Sequence, residues 1–376
     1  MKAKNILYLV VFLALLLVLL VGGHYLLYYF FIDSYNLYLS PWHAAIAVVF
    51  GIFSVGYIFA SVIARWSDNL ITRIFYAATA VWLGFIWYVT ISVAFVLLLF
   101  GFLPFLHVEI SHAWFSSFAV LFAVAFTIYG LWSTYHPRVK EIRIQIKDLP
   151  QAWNGKKIVQ VSDVHLGHIH GEHFFHKLVS LIRAQNPDAV CITGDLFDGM
   201  GGDFKYIVED INRIEAPLGI FYIKGNHETY MDFSKVEPFI RKSKAVFLCD
   251  EIRVVNGLQI AGADYPPPGE KREIGHLVSR IDQIKPSILL WHEPIDIETA
   301  KRHGVSLVLS GHTHRGQVFP FEAIARKIYK QYEYGYVNDG NFHQYTSSGF
   351  GTWGPPIRTG NHPEIVCVTL HKAKQP

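Results

Sequence analysis

At 376 residues the chain exceeds the usual size of one domain, and 33 Lys and Arg against 30 Asp and Glu leave a net charge of only +3, which excludes a global basic field for nucleic acid. Its three cysteines, Cys191, Cys249 and Cys367, are scattered. They argue against a disulfide framework or a zinc knuckle, and Cys191 and Cys367 lie in apolar strand-like runs that suit buried free thiols.

The average charge conceals a split. Up to Tyr135 the only charged residues are Lys2, Lys4, Asp33, Arg65, Asp68, Arg73 and Glu109. Four uncharged runs, Asn5 to Ile32, Asn36 to Ala64, Ile74 to Val108 and Ile110 to Tyr135, each hold the roughly 20 apolar residues that cross a bilayer. They predict about four transmembrane helices over residues 1–136, the first one retained rather than cleaved because no small-residue cleavage site follows it. Trp42, Trp66, Trp114 and Trp132 fall near the expected span ends, as an aromatic belt requires, while Trp87 reads as internal. Lys2, Lys4, Arg65, Arg73, Arg138 and Lys140 all fall on one side, so the positive-inside rule places both termini in the cytoplasm of a multi-pass inner-membrane protein. His24, His43, His107 and His112 then lie near the opposite interface.

After His136-Pro137 the pattern becomes globular, and residues 137–376 form the second domain. Glu141 to Ile146 alternates strictly, as a half-buried strand does. Lys157 to Val161 is a β-branched strand that stops at Ser162-Asp163-Val164-His165. Helical spacing over Gly171 to Ala184 puts Phe174, Leu178 and Leu181 on one face. Asp188 to Thr193 is a second buried strand, ending in Gly194-Asp195-Leu196-Phe197-Asp198; Phe204 to Ile214 reads as a helix. Three further strands end in the same way. Gly219 to Ile223 runs into Gly225-Asn226-His227-Glu228, Ser287 to Trp291 into His292-Glu293, and Val305 to Leu309 into Gly311-His312-Thr313-His314.

Ligands in open α/β sheets lie beyond the C-terminal ends of strands. Five apolar strands that each terminate in Asp, Asn or His therefore point to convergent donors. Carboxylate, imidazole and amide oxygen together suit Mn, Fe, Zn or Mg and need no thiolate. So many donors exceed one coordination sphere, and the economical reading is a pair of divalent ions flanking a phosphoryl centre.

Asp163-x-His165, Gly194-Asp195-x-x-Asp198, Gly225-Asn226-His227-Glu228, His292 and Gly311-His312-x-His314 resemble, in order, the five signature blocks of the calcineurin-like metallophosphoesterase superfamily. The tail from Ser348 through Arg358 to Ile365 resembles its membrane-attached bacterial YkuE/YaeI-type branch. The resemblance implies an α+β fold, a four-layer αββα sandwich to which Glu141 to Ile146 and Ile365 to Leu370 contribute strands, behind the bundle of about four transmembrane helices. It implies a first metal on Asp163, His165 and His314, a second on Asn226, His292 and His312, and a bridge through Asp195, with manganese first among the candidates. His227 would act at the scissile ester, oriented by Asp198. Arg315 departs from the Gly found there in many members and would alter the pocket mouth.

Substrate contacts are expected from His168, Arg315 and Arg358. The other histidines after the first block, His170, His173 and His176, read as loop and helix surface, and Glu228 and Glu293 as structural neighbours of ligands. Val318 to Lys330 carries apolar and basic residues at helical spacing. A core-facing helix with a solvated basic face is the simpler expectation; an interfacial helix against lipid is the other. The implied function is hydrolysis of a phosphodiester or pyrophosphate bond, in a lipid or lipid-linked envelope precursor by analogy with relatives. A tethered phosphodiesterase for soluble substrates and a non-catalytic membrane sensor or scaffold are the alternatives. The oligomeric state is not written in these motifs.

Overall fold

The computed structural model describes residues 3–102 and 111–373, so His107 and Glu109 lie outside the described residues. The chain divides into two compact units, Met1–Tyr129 and Gly130–Pro376.

Uncharged runs that are apolar on every side fold as helices because a bilayer offers backbone groups no other partner. The four helices Ala3–Ser34, His43–Ala64, Leu70–Phe102 and His112–Thr134 follow the four apolar runs, and each contains a stretch long and apolar enough to cross a membrane. Arg73, in the first turn of the third helix, pairs at 2.6 Å with Asp68 in the loop before it. Trp42, Trp66 and Trp114 are exposed near helix ends. His24 is buried among helices, donates from Nδ1 to Leu20 O and accepts from Trp82 Nε1 at 3.0 Å. Both ring nitrogens are satisfied there, which makes His24 a packing residue.

The second unit contains two six-stranded sheets. The strands are β1 Arg138–Ile146, β2 Lys157–Val161, β3 Ala189–Thr193, β4 Ile220–Ile223, β5 Ala245–Phe247, β6 Glu251–Val255, β7 Leu258–Gly262, β8 Ser287–Leu290, β9 Leu307–Ser310, β10 Gly335–Asp339, β11 Phe342–Thr346 and β12 Glu364–Lys372. One sheet runs β1-β12-β2-β3-β4-β5 and the other β10-β11-β9-β8-β7-β6. Strand side chains alternate between faces, and the alternation explains the layers. Ile158, Ala189, Cys191, Phe221 and Ile223 of the first sheet meet Ile260, Ile288, Leu290, Leu307 and Leu309 of the second in one core between the sheets. The alternate residues of the first sheet, including Val159, Val190 and Tyr222, face the helix Glu172–Ala184 and its neighbours. Leu289 and Val308 of the second face the helix Ile297–Arg302. This is the expected helix–sheet–sheet–helix sandwich.

Several elements differ from the sequence reading. β6 and β7 form a hairpin about Asn256-Gly257, both at positive φ, and β10 and β11 close another over Gly340. The Asn-Gly pair is a strong hairpin signal, yet β6 carries the charged Glu251 and Arg253 and is partly exposed, and β7, though buried throughout, spans only five residues with Gln259 among them, so neither stands out as an apolar run. Leu181 is only partly buried, while Phe175, Val179 and Ile182 join Phe174 and Leu178 on the inner face. The helix near the C-terminal tail covers only Glu322–Tyr329, and Ala325 is its one buried residue. Ile324 and Ile328 are 53% and 61% exposed, so the core-facing expectation fails there.

Candidate active site

Strands β2, β3 and β4 are parallel neighbours in one sheet, as are β8 and β9 in the other, so each set ends on the same edge. Bonds across the sandwich bring the two edges together. Gln160 Nε2 donates to Ser310 O at 2.8 Å, and His292 Nδ1 donates to Thr193 O at 2.8 Å. The second bond leaves the His292 Nε2 lone pair aimed into the gap between the edges.

The turns there are sharp. Five of the seven expected ligands, Asp163, His165, Asp195, His312 and His314, adopt positive φ between 47° and 71°. A left-handed residue other than Gly costs roughly 1–2 kcal/mol, a cost that concentrates at sites where side-chain aim matters. Neighbouring glycines let the loops close. A Cβ on Gly225 would collide with Asp195 Oδ1, one on Gly311 with Ser162 Oγ and Asp163 Oδ2, and one on Gly351 with Val164 O.

Two groups of donors form around the expected ligands, and a third, His165, Asp195 and His227, lies between them. Asp163, His165 and His314 converge in one: His165 Nε2 lies 3.0 Å from His314 Nε2, which is 3.3 Å from Asp163 Oδ1. Asp195, His292 and His312 converge in the other, with Asn226 Oδ1 at 3.1 Å from His292 Nε2 and 2.8 Å from His312 Nδ1. Asp195 Oδ2 faces both groups, 3.1 Å from His292 Nε2 and 3.9 Å from His165 Nε2. All seven side chains are buried or nearly so. Lone pairs gathered at such distances and shielded from water fit divalent cations, and the mixture of oxygen and imidazole nitrogen fits the borderline metals.

The electrostatics agree. Burial opposes charge on His292, yet the Asp195 carboxylate holds it up to about 10. Burial likewise opposes charge on Asp195, while His292 and His227 keep it well below the usual carboxylate range. His312 is pushed down to about 4 by burial and by His292, so its imidazole is neutral with a lone pair to offer. A cation bound among these groups would take the place of the proton that Asp195 holds on His292 and so free its Nε2 lone pair.

Surrounding groups fix the ligands. Glu228 is fully buried and accepts from the backbone N–H of Asp195, Phe197 and Gly225 at 2.7–3.1 Å, tying two ligand loops together. Glu293 lies 3.8 Å from His312 Nε2 and accepts from Tyr265 at 2.9 Å, from Arg272 at 2.5 Å and from Tyr329 at 3.2 Å. Both glutamates are the structural neighbours the sequence suggested. His227 lies beside the first group, its ring centroid 4.5 Å from that of His165. Its Nδ1 is 3.0 Å from the carbonyl oxygen of Asp198 and 3.6 Å from the Asp198 carboxylate. That carboxylate stands 3.4 Å from His165 Nδ1, so Asp198 serves both rings.

A cavity of about 600 Å³ opens over the donors. Asp195, Asn226, His227, His312 and His314 form its floor, and Tyr230, Phe321, Ile324, Ile328, Tyr329 and Trp353 contribute its walls. Nothing in the sequence marked Tyr230 or Trp353 as lining residues, since Tyr230 ends a helix of only five residues, Asn226–Tyr230, and Trp353 sits in an irregular loop, neither long enough to show periodicity. The three residues expected to touch substrate, His168, Arg315 and Arg358, do not line this cavity. His168 is buried. Arg315 lies over the Tyr334 ring, 4.5 Å from its centroid. His170, read from sequence as surface, is also buried, stacked on Phe174 and bonded to Thr352 at 2.8 Å.

Arg358 is fully buried, and burial pushes its guanidinium down to about 10. It donates to Ser348 O, Gly351 O and Asn361 Oδ1, and its Nη2 lies 3.0 Å from His314 Nδ1. Asn361 in turn donates to His314 O at 2.6 Å. Arg358 thus braces a ligand instead of facing the cavity. Arg358→Met is expected to lower unfolding stability by about 3 kcal/mol or more, because three buried acceptors lose their donor; denaturant unfolding of the purified chain measures it, and a loss under about 1 kcal/mol would contradict the bracing role.

The family model described as calcineurin-like phosphoesterase matches residues 156–316. Similar proteins include an uncharacterized metallophosphoesterase of Helicobacter pylori, 33% identical over 62% of this chain and 64% of its own length. Another, from Aquifex aeolicus, is 31% identical over 66% of this chain and 97% of its own. A Danio rerio transmembrane protein with metallophosphoesterase domain is 28% identical over 68% of this chain and 62% of its own. The chain spans 64% of the length of the Helicobacter relative.

Proposed function

Because this chain belongs to the calcineurin-like phosphoesterase family, we propose that it is a membrane-anchored hydrolase that holds two divalent ions and cleaves a phosphodiester or pyrophosphate bond in an amphiphilic, lipid-linked substrate. The family assignment makes it a metal-dependent phosphoesterase. The observation that carries the further reading is the cavity, whose floor is made of polar donors and whose walls are Phe321, Ile324, Ile328 and Trp353. A phosphoryl group fits the floor and an apolar chain the walls.

Asp163, His165 and His314 would hold one ion and Asn226, His292 and His312 the other, with Asp195 shared; manganese heads the candidates. Such a pair supplies Lewis-acid charge to the phosphoryl oxygens and acidifies water. The protein's own contribution is orientation and a proton. Asp198 O fixes His227 through Nδ1, which leaves Nε2 free toward the cavity. Burial opposes a charge on His227, but Asp195 and Asp198 raise its pKa above the ordinary value. The raised pKa keeps Nε2 protonated to higher pH, as a general acid for the leaving oxygen requires. With the basic loops on the cytoplasmic side, the domain would work in the cytoplasm at the inner membrane.

Detergent-purified chain is expected to hydrolyse bis(p-nitrophenyl) phosphate slowly and a lipid-linked diphosphate faster, with both activities lost on chelation and restored by Mn. Faster turnover of the soluble diester would move the assignment to a tethered soluble-substrate phosphodiesterase. Bound metal without turnover on either would move it to a sensor.

A further inference from the structure

We propose that the mouth of the cavity is a bilayer-docking surface whose partner is the anionic headgroup layer of the membrane that the chain's own spans enter. The proposal extends the amphiphilic-substrate reading. It begins with an anomaly of exposure. Phe319, Phe321, Ile324, Ile328 and Trp353 are 45%, 38%, 53%, 61% and 54% exposed, and four of the five also line the cavity. Leaving large apolar side chains in water is unfavourable, and a patch of this kind marks an interaction site.

The patch is not a helix awaiting a better fit to its own domain. Glu322–Tyr329 is already fastened on its inner side: Ala325 is buried, the Tyr329 hydroxyl donates to Glu293, and the Tyr329 ring meets His312 edge-on at 6.0 Å. What remains outward is apolar, flanked by the exposed cations Arg326, Lys327 and Lys330. Apolar residues beside cations on a short amphipathic helix suit the boundary between acyl chains and anionic headgroups. A tryptophan at the rim suits the same depth.

Continuity with the membrane favours lipid over a protein partner. The last turn of the fourth span, Gly130 to Thr134, belongs to the second unit. The loop 351–362 grips it: Arg358 N donates to Gly130 O at 3.1 Å, Thr134 Oγ1 donates to Pro356 O at 3.0 Å, and Ile357 packs so closely that a Cβ on Gly130 would collide with it. The same loop carries Trp353 and holds the segment before the helix. Gln317 Nε2 donates to Trp353 O and Pro355 O, and Phe319 N donates to Thr359 Oγ1 at 3.0 Å. The apolar patch is therefore bolted to Gly130–Thr134, the last turn of the helix His112–Thr134 that is long and apolar enough to cross a membrane. Docking it there would present the cavity mouth to a substrate still seated in the leaflet.

The test is hydrogen exchange of segment 319–330 in the full chain, reconstituted into nanodiscs of phosphatidylcholine alone or mixed with phosphatidylglycerol. Each basic side chain near an anionic leaflet is worth roughly a fivefold factor in occupancy. Exchange is expected to slow by about fivefold or more in the anionic discs, and K327E/K330E, with unchanged thermal unfolding, is expected to lose that difference. Equal exchange in both lipids overturns the proposal. So does protection that rises with protein concentration and survives K327E/K330E, which would assign the patch to a second copy of the chain. Exchange is read without turnover, so failure of docking and failure of the proposed hydrolysis are separate results.

Discussion

Asp195→Asn is expected to reduce phosphodiester hydrolysis on the order of 10³-fold while leaving the fold intact, because a shared ligand is worth several kcal/mol of transition-state charge stabilisation. Asp195 Oδ2 is the one carboxylate oxygen placed toward both donor groups, and Oδ1 accepts from the backbone N–H of His227 at 2.9 Å. Asparagine keeps the volume and can keep one acceptor. It removes the negative charge, and its second position becomes an N–H₂ whichever way the amide turns. Metal content should fall below that of the wild type, and the circular dichroism spectrum should not change. Retention of more than about a tenth of the activity would show that the two groups do not act through Asp195.

Gly311→Ala is expected to injure stability and metal binding together. The added methyl would collide with Ser162 Oγ and Asp163 Oδ2, so either the β2 end or the His312 to His314 loop must move. Overpacking of this kind costs about 1–3 kcal/mol. Displacing a ligand by a fraction of an ångström weakens affinity by about 10–100-fold or more, as disturbed supports of metal ligands do. Calorimetry and a manganese titration read the two effects. Combining Gly311→Ala with Ser162→Gly removes one of the two clashes and should recover part of the stability but less of the affinity, since Asp163 still meets the methyl. Wild-type affinity in Gly311→Ala alone would show that the loop has room the packing does not suggest.

Both outcomes depend on features that the sequence displayed unequally. The candidate donors were legible because each follows a strand of β-branched and aliphatic residues, and chemistry interrupts such a strand conspicuously. Asp163 after Val161, Asp195 after Thr193 and His312 after Ser310 are polar residues where an apolar run has just ended. Asp198 was assigned to His227, but its carboxylate also stands beside His165, a pairing between loops of different strands.

Arg358 marks the limit more clearly. A lone arginine in a glycine-rich tail has the same local signature whether it binds substrate or braces a ligand. Only the 44-residue separation closed by the fold places it against His314. The buried His170 and the exposed Ile324 and Ile328 erred in opposite directions for one reason: burial is set by what packs on a residue, and no local pattern encodes the neighbour.

The sequence by itself determined the four helices long and apolar enough to cross a membrane, the strand ends that carry donors, and the chemical class of those donors. These follow from composition and periodicity, which are properties of contiguous residues. The tertiary structure alone decided that the two sheets align their edges, that Asp195 faces both donor groups, that Arg358 turns inward, and that an apolar helix stands open at the cavity mouth. Each of these joins residues far apart in the chain, and such contacts are selected by the packing of the whole domain rather than by any segment within it.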